Sequence, residues 1–180
     1  MSYCQYCKTL PITDVNVIYH DNYYGFPITD NHELFERLCL EINQAGLSWQ
    51  TILKKQQHFK DAFDNFDFLK VAKYDSQKME QLLQDSGIIR NRLKIAAVIH
   101  NANVFKEIVE VHGNFVNWLN LYREFDLEQW VKLFKKTFKF VGKEIVNEFL
   151  MSIGYLKGAH EEDCSVYKEI LKLKPVWLSK

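Results

Sequence analysis

Glu41 sits where a carboxylate needs a reason. Along DNHELFERLCLEINQAG, Leu34, Leu38 and Ala45 fall at helical spacing on one face, and Glu41 shares that face. An acid on an apolar stripe is costly to bury, so it should have a partner or a task. Gly46 is suited to cap the helix C-terminus, and LSWQTILKK begins the next helix with Trp49 just past the corner. Tyr6, Tyr19 and Tyr24 add aromatic surface. Stacking rings around one carboxylate suit a flat, positively charged guest. The alternative is that Glu41 ties a neighbouring helix and the rings are plain core.

A second group carries soft donors. His160 and Cys164 are four residues apart, on one side of a turn or helix start, and Cys4, Cys7 and His20 lie near the other end. Two Cys with two His form a closed structural zinc set, which would staple the termini together. The alternative is a scatter of unrelated thiols and imidazoles, since the spacing is not that of a compact finger.

A third group is basic. In GIIRNRLKI, Gly87 breaks one helix, and the N–H groups opening the next can hold a phosphate. Arg90, Arg92 and Lys94 add charge there. Lys132, Lys135, Lys136, Lys139 and Lys143 form a second basic cluster. An ordinary helix corner with a solvated basic face is the plain alternative.

Helices must position these groups. Apolar residues make up 47% of the chain, only seven Gly and three Pro occur, and β-branched alternation is scarce, so the fold class expected is all-α. Residues 1–29 read as an irregular arm. Helices are expected at 30–45, 48–56, 58–64, 67–73 and 75–85, then from Arg90 onward, and at 114–122, 126–136 and 141–153. Asp67 and Asp75 read as N-caps. FKFVG at 138–142 is a corner, and a short helix lies in the tail from 155 to 180. No repeat or linker divides the 180 residues, so one domain is expected. A net charge of zero argues against a strong electrostatic nucleic-acid clamp but leaves room for a local basic face. No apolar run reaches membrane-spanning length and MSYCQYCKTL is no signal peptide, so a cytoplasmic protein with no membrane partner is expected.

The order of YHDNYYGFPITDNHELF, LCLEINQAGLSWQTILKK, FDNFDFLKVA, SGIIRNRLKI, FKFVG and HEEDC resembles that of DNA-3-methyladenine glycosylase I, the Tag family, from Cys4 to Cys164. The resemblance implies a helix-hairpin-helix glycosylase that acts as a monomer on double-stranded DNA containing alkylated bases. It would release 3-methyladenine in base-excision repair. It places Glu41 on the base-binding carboxylate, Trp49 and Tyr19 on pocket aromatics, and GIIRNR on the DNA-gripping hairpin. His20, His160 and Cys164 fall on zinc ligands. Cys4 completes the set by its sequence context, with Cys7 the alternative by its distance to the histidine.

Two departures accompany the match. Tyr6 and Tyr24 stand where the family usually has tryptophans, and the stretch before Phe138 is short. A zinc hydrolase and a DNA- or base-binding module without activity are the rival readings. The first needs an open coordination position that a full Cys2His2 set does not leave.

Overall fold

The computed structural model describes residues 1–179, and every regular element among them is helical. The amino-terminal arm is not irregular. Ser2 and Gln5 form a capping box that starts α1 (Tyr3–Lys8), and the Asp14 carboxylate accepts from the Asn16 N–H to start α2 (Val15–Asn22). These helices are short enough that apolar periodicity does not reveal them; the caps do.

Asp30 caps α3 (Asn31–Gln44) through the Glu33 N–H, and Ser48 caps α4 (Trp49–Ala62) through Thr51. Where the sequence suggests a break near residue 57, α4 continues, because Phe59 on its buried face carries the apolar stripe through. Asp64–Phe66 then form a tight turn with φ of 52–55° at all three residues. Asp67 and Asp75 cap α5 (Phe68–Val71) and α6 (Ser76–Gln84) as their types suggest. Asn91 caps α7 (Arg92–His112), which Gly113 ends in the left-handed region.

The rest follows the expected positions with trimmed ends: α8 (Phe115–Asn120), α9 (Leu127–Thr137), α10 (Lys143–Ser152) and α11 (Ser165–Lys172). The core is aromatic, with Phe35, Phe66, Phe105, Phe115, Phe134 and Trp130 fully buried. Phe105 stacks on Phe115 with centroids 3.9 Å apart, joining α7 to α8. Helix α3 packs on α4, α7, α8, α10 and the Asp64–Phe66 turn, so its faces are set by several neighbours. No helix among the described residues is long and apolar enough to cross a membrane.

Candidate functional site

Leu34, Leu38 and Ile42 fill the core side of α3, which leaves Glu41 beside a cavity of about 720 Å³. That volume suits a small molecule or a single flipped nucleobase. Tyr3, Tyr19, Tyr24 and Trp49 border it, Glu148 of α10 does the same, and Lys143 stands exposed at the rim. The rings brace one another. Tyr19 meets Trp49 edge-on at 5.1 Å between centroids, and Tyr24 lies 5.7 Å from Tyr19 and 5.6 Å from Tyr3. Gly46 adopts φ +80°, which lets the chain turn sharply from α3 and present Trp49 at once.

The electrostatics are unusual for a core. Glu41 is 4% exposed, and no donor among the described residues hydrogen-bonds its carboxyl. Burial, reinforced by the Glu148 charge and opposed by Arg37, pushes its pKa up to about 8. Burial raises Glu148 as well, while the hydroxyl of Tyr24 donates to its Oε2 at 3.0 Å. Arg37, buried behind the rings, donates to the Tyr19 hydroxyl at 3.2 Å and to the Ser152 carbonyl at 3.3 Å, and stands over the Tyr19 ring. The Trp49 indole N–H is buried and has no partner among the described residues. An acceptor and a donor are thus held among stacking surfaces with nothing of the protein's own to bind.

A second centre lies behind Tyr24. Cys4, His20, His160 and Cys164 are all buried, with ligand atoms within 4.8 Å of one another. His20 Nε2 is 3.2 Å from Cys4 Sγ and 3.8 Å from Cys164 Sγ; His160 Nδ1 is 3.6 and 3.7 Å from the same sulfurs. Zn–S bonds of about 2.3 Å and Zn–N bonds of about 2.0–2.1 Å give tetrahedral edges of roughly 3.3–3.8 Å. The outer nitrogens fix the tautomers. His20 Nδ1 is 2.6 Å from Asp21 Oδ1, and His160 Nε2 is 2.7 Å from the Tyr24 carbonyl, so each ring donates outward. Two imidazole lone pairs then face each other at 3.1 Å, an arrangement that repels unless a cation lies between them. Burial pushes the Cys4 thiol up to about 11, which a cation would reverse. The donor set fits a tetrahedral divalent metal.

Gly25 lets the two chain ends meet here. A Cβ on it would lie 2.8 Å from that of Ala159, the neighbour of His160. Cys7 is buried elsewhere, its sulfur 3.7 Å from the Asn16 carbonyl, so geometry selects Cys4.

The basic turn is built differently from its sequence reading. Arg90 and Arg92 are exposed, with Arg92 paired to Glu80 at 2.6 Å. Gly87 comes close to α4, where a Cβ would lie 3.0 Å from that of His58. Lys94, however, is 4% exposed, and its ammonium donates to the carbonyls of Asn43 (2.8 Å) and Ala45 (2.6 Å). The unpaired carbonyls at the end of α3 attract it away from solvent, so it is unavailable to a phosphate. It fastens α7 to the pocket corner instead. Lys94→Met should leave both carbonyls unpaired and cost about 2 kcal/mol, lowering the melting temperature by roughly 4–8 °C. Thermal denaturation checks this, and an unshifted transition would mean the carbonyls find other partners.

Tyr6 also moves. It is 36% exposed and stacks loosely on the outer side of Tyr3, which takes its place at the cavity. With Cys4 inside, a helical arm turns Tyr6 about 160° away from it. The sequence carries that signal once α1 is read as a helix. Glu148 lies outside every motif, so no pattern in the sequence points to it.

Residues 10–168 match the methyladenine glycosylase family. DNA-3-methyladenine glycosylase 1 of Escherichia coli is 37% identical over 84% of this chain and 90% of its own length. A solved structure of 3-methyladenine DNA glycosylase I from Staphylococcus aureus, which concerns 3-methyladenine recognition, is 30% identical. It aligns with a TM-score of 0.81 over 92% of this chain and 97% of its own. A tyrosine-to-phenylalanine variant of 3-methyladenine DNA glycosylase I in complex with 3-methyladenine aligns at 0.82, with 31% identity and the same coverage. The chain belongs to the methyladenine glycosylase family.

Proposed function

We propose that this chain hydrolyses the bond between deoxyribose and 3-methyladenine in alkylated duplex DNA and releases the free base. The observation that carries the reading is Glu41: buried, without a hydrogen-bond partner, and bordering an aromatic cavity. A base alkylated at N3 in DNA is a cation with a flat ring. Inside the duplex its sugar bond is shielded, so it must rotate out, and damaged bases cost least to unstack. Trp49 and Tyr19 stack on the ring, and Glu41 accepts from its amino edge and favours its charge. Water adds at C1′ as the C1′–N9 bond breaks. The base departs with the bonding pair, which neutralises it, and a proton from the water passes to solvent. Because the leaving group is already positive, the pocket needs to select the cation more than to protonate it.

Among the residues lining the cavity Lys143 is the single lysine, and its exposed position favours binding over service as a buried amine nucleophile. Incubation with N-methylated duplex should therefore yield free 3-methyladenine by chromatography and an abasic strand that stays uncut until treated with alkali. A strand cut on release would overturn this mechanism, and no free base would overturn the reading.

Cys4, His20, His160 and Cys164 hold one zinc in this reading. It supplies no chemistry to the reaction; it fixes the terminal segments behind Tyr24, and the closed donor set opposes the zinc-hydrolase alternative. Helix α6, the Asp85–Asn91 turn and α7 act as the helix-hairpin-helix that grips phosphates without reading sequence. The N–H groups opening α7, with Arg90 and Arg92, make the contact. Affinity for an abasic-site duplex should fall with salt. The Arg90→Ala, Arg92→Ala double variant should reduce the log–log slope by about 1.8, at about 0.9 per phosphate. An unchanged slope would put the DNA face elsewhere.

A further inference from the structure

Besides Glu41, two carboxyls line the pocket: Glu144, exposed at its rim, and the half-buried Glu148, which the base-release mechanism does not use. It projects from α10, which packs on α3, and it borders the same cavity as Glu41. The Tyr24 hydroxyl donates to one of its oxygens at 3.0 Å and so orients it. No lysine or arginine lies within ion-pair distance of it among the described residues. Like charges brought together inside a protein normally cost stability, and the two acids could each have been replaced by neutral side chains of similar size. Arg37 is engaged with Tyr19 and the Ser152 carbonyl and Lys143 stands exposed at the rim, so neither carboxyl is ion-paired, and the two favour a guest that brings its own positive charge.

We infer that Glu148 is a specificity-determining residue of the base pocket. Held by Tyr24, it gives the pocket a second acidic contact and discriminates positively charged alkylated bases from neutral bases of the same shape. The inference rests on the glycosylase reading only for the natural guest; the selection for charge follows from the pocket itself. Burial raises both carboxyls, the Glu148 charge adds to the cost of ionising Glu41 and the Glu144 charge to that of Glu148, so without a guest part of the pocket's acidity is held as bound protons. A cationic guest recovers the second negative charge that a neutral guest does not.

The structural alternative is that Glu148 merely gives the Tyr24 hydroxyl an acceptor. Glu148→Gln separates the two, because the amide oxygen still accepts from Tyr24 while the charge is gone. The probes are 3,9-dimethyladeninium, a fixed cation, and neutral 9-methyladenine, each titrated against the full chain and followed by tryptophan fluorescence. Wild type should bind the cation more tightly, and Glu148→Gln should reduce that preference about tenfold, the worth of one hydrogen bond to a charged group. The melting temperature of Glu148→Gln should stay level or rise. An unchanged preference in Glu148→Gln would overturn the inference, whatever happens to stability. Glu148→Ala should lose the same preference and also lower the melting temperature through the unpaired Tyr24 hydroxyl; an Ala variant with intact preference would overturn it equally. Base release by wild type from methylated DNA, run alongside, keeps the two readings apart. Absent release with a reduced preference in Glu148→Gln leaves the charge selection standing and removes only the glycosylase.

Discussion

Glu41→Gln should slow single-turnover release of 3-methyladenine by about tenfold to a hundredfold and leave the fold as stable as before or more so. Gln keeps the size and one acceptor oxygen but removes the charge, and a hydrogen bond to a charged group is worth roughly 1.5–3 kcal/mol. Stability should not fall, because the wild-type carboxyl is buried without a hydrogen-bond partner. The pH dependence gives an independent check. The pKa of Glu41 is raised from 4.5 to about 8. Between those values the folded state binds a proton that the unfolded state has released, so this group's contribution to stability falls as pH rises from about 4.5 to 8. Glu41→Gln should lack that fall, and the difference in melting temperature between the two proteins should grow toward alkaline pH. Conversely, kcat/KM of the wild type should rise with pH through the range in which the Glu41–Glu148 pair ionises, and this limb should vanish or move in the variant. Parallel profiles for the two proteins would remove Glu41 from the recognition step.

Loss of a metal ligand should give the largest change in stability. Cys4 and His20 lie near one end of the chain, His160 and Cys164 near the other, so one ion would close a loop of about 140 residues. Structural zinc binds finger peptides with about 10–16 kcal/mol, and if a third of the lower value appears as stability here, removal costs on the order of 3 kcal/mol. That corresponds to a drop of roughly 10 °C in a chain of this size. Cys4→Ser and Cys164→Ser should both show it, and both should purify without zinc, whereas wild type should carry one per chain by elemental analysis. Cys7→Ser should keep the zinc, since Cys7 lies outside the cluster and contacts the Asn16 carbonyl. Zinc retained in Cys4→Ser but lost in Cys7→Ser would reverse the ligand assignment. Metal-free wild type with an unchanged melting temperature would remove the structural metal.

How much of the site is legible in the residues differs with the length of side chain involved. The stripe of Leu34, Leu38 and Glu41 and the corner at Gly46 follow from backbone periodicity and one left-handed residue, and both are where the pattern puts them. Asp67 and Asp75 cap the helices their types announce. Lys94 misleads because its type suggests solvent, whereas its four-carbon stem lets the ammonium reach the carbonyls at the end of α3. Tyr3 rather than Tyr6 faces the cavity because the arm is a helix, and short helices leave little periodicity to read. Glu148 is invisible for another reason. It lies 107 residues beyond Glu41, and only the packing of α10 on α3 brings the two acids to one cavity. Periodicity assigns a face; it does not say what stands opposite.

The most direct measurement is single-turnover release of free 3-methyladenine from methylated duplex DNA, made on wild type and Glu41→Gln beside their melting temperatures on the same preparations. The expected result is stoichiometric free base from wild type, with release at least tenfold slower from a variant that melts no earlier. A wild type that liberates no base, or a variant that melts earlier yet releases base at the wild-type rate, would contradict a base-recognition role for Glu41 and its pocket.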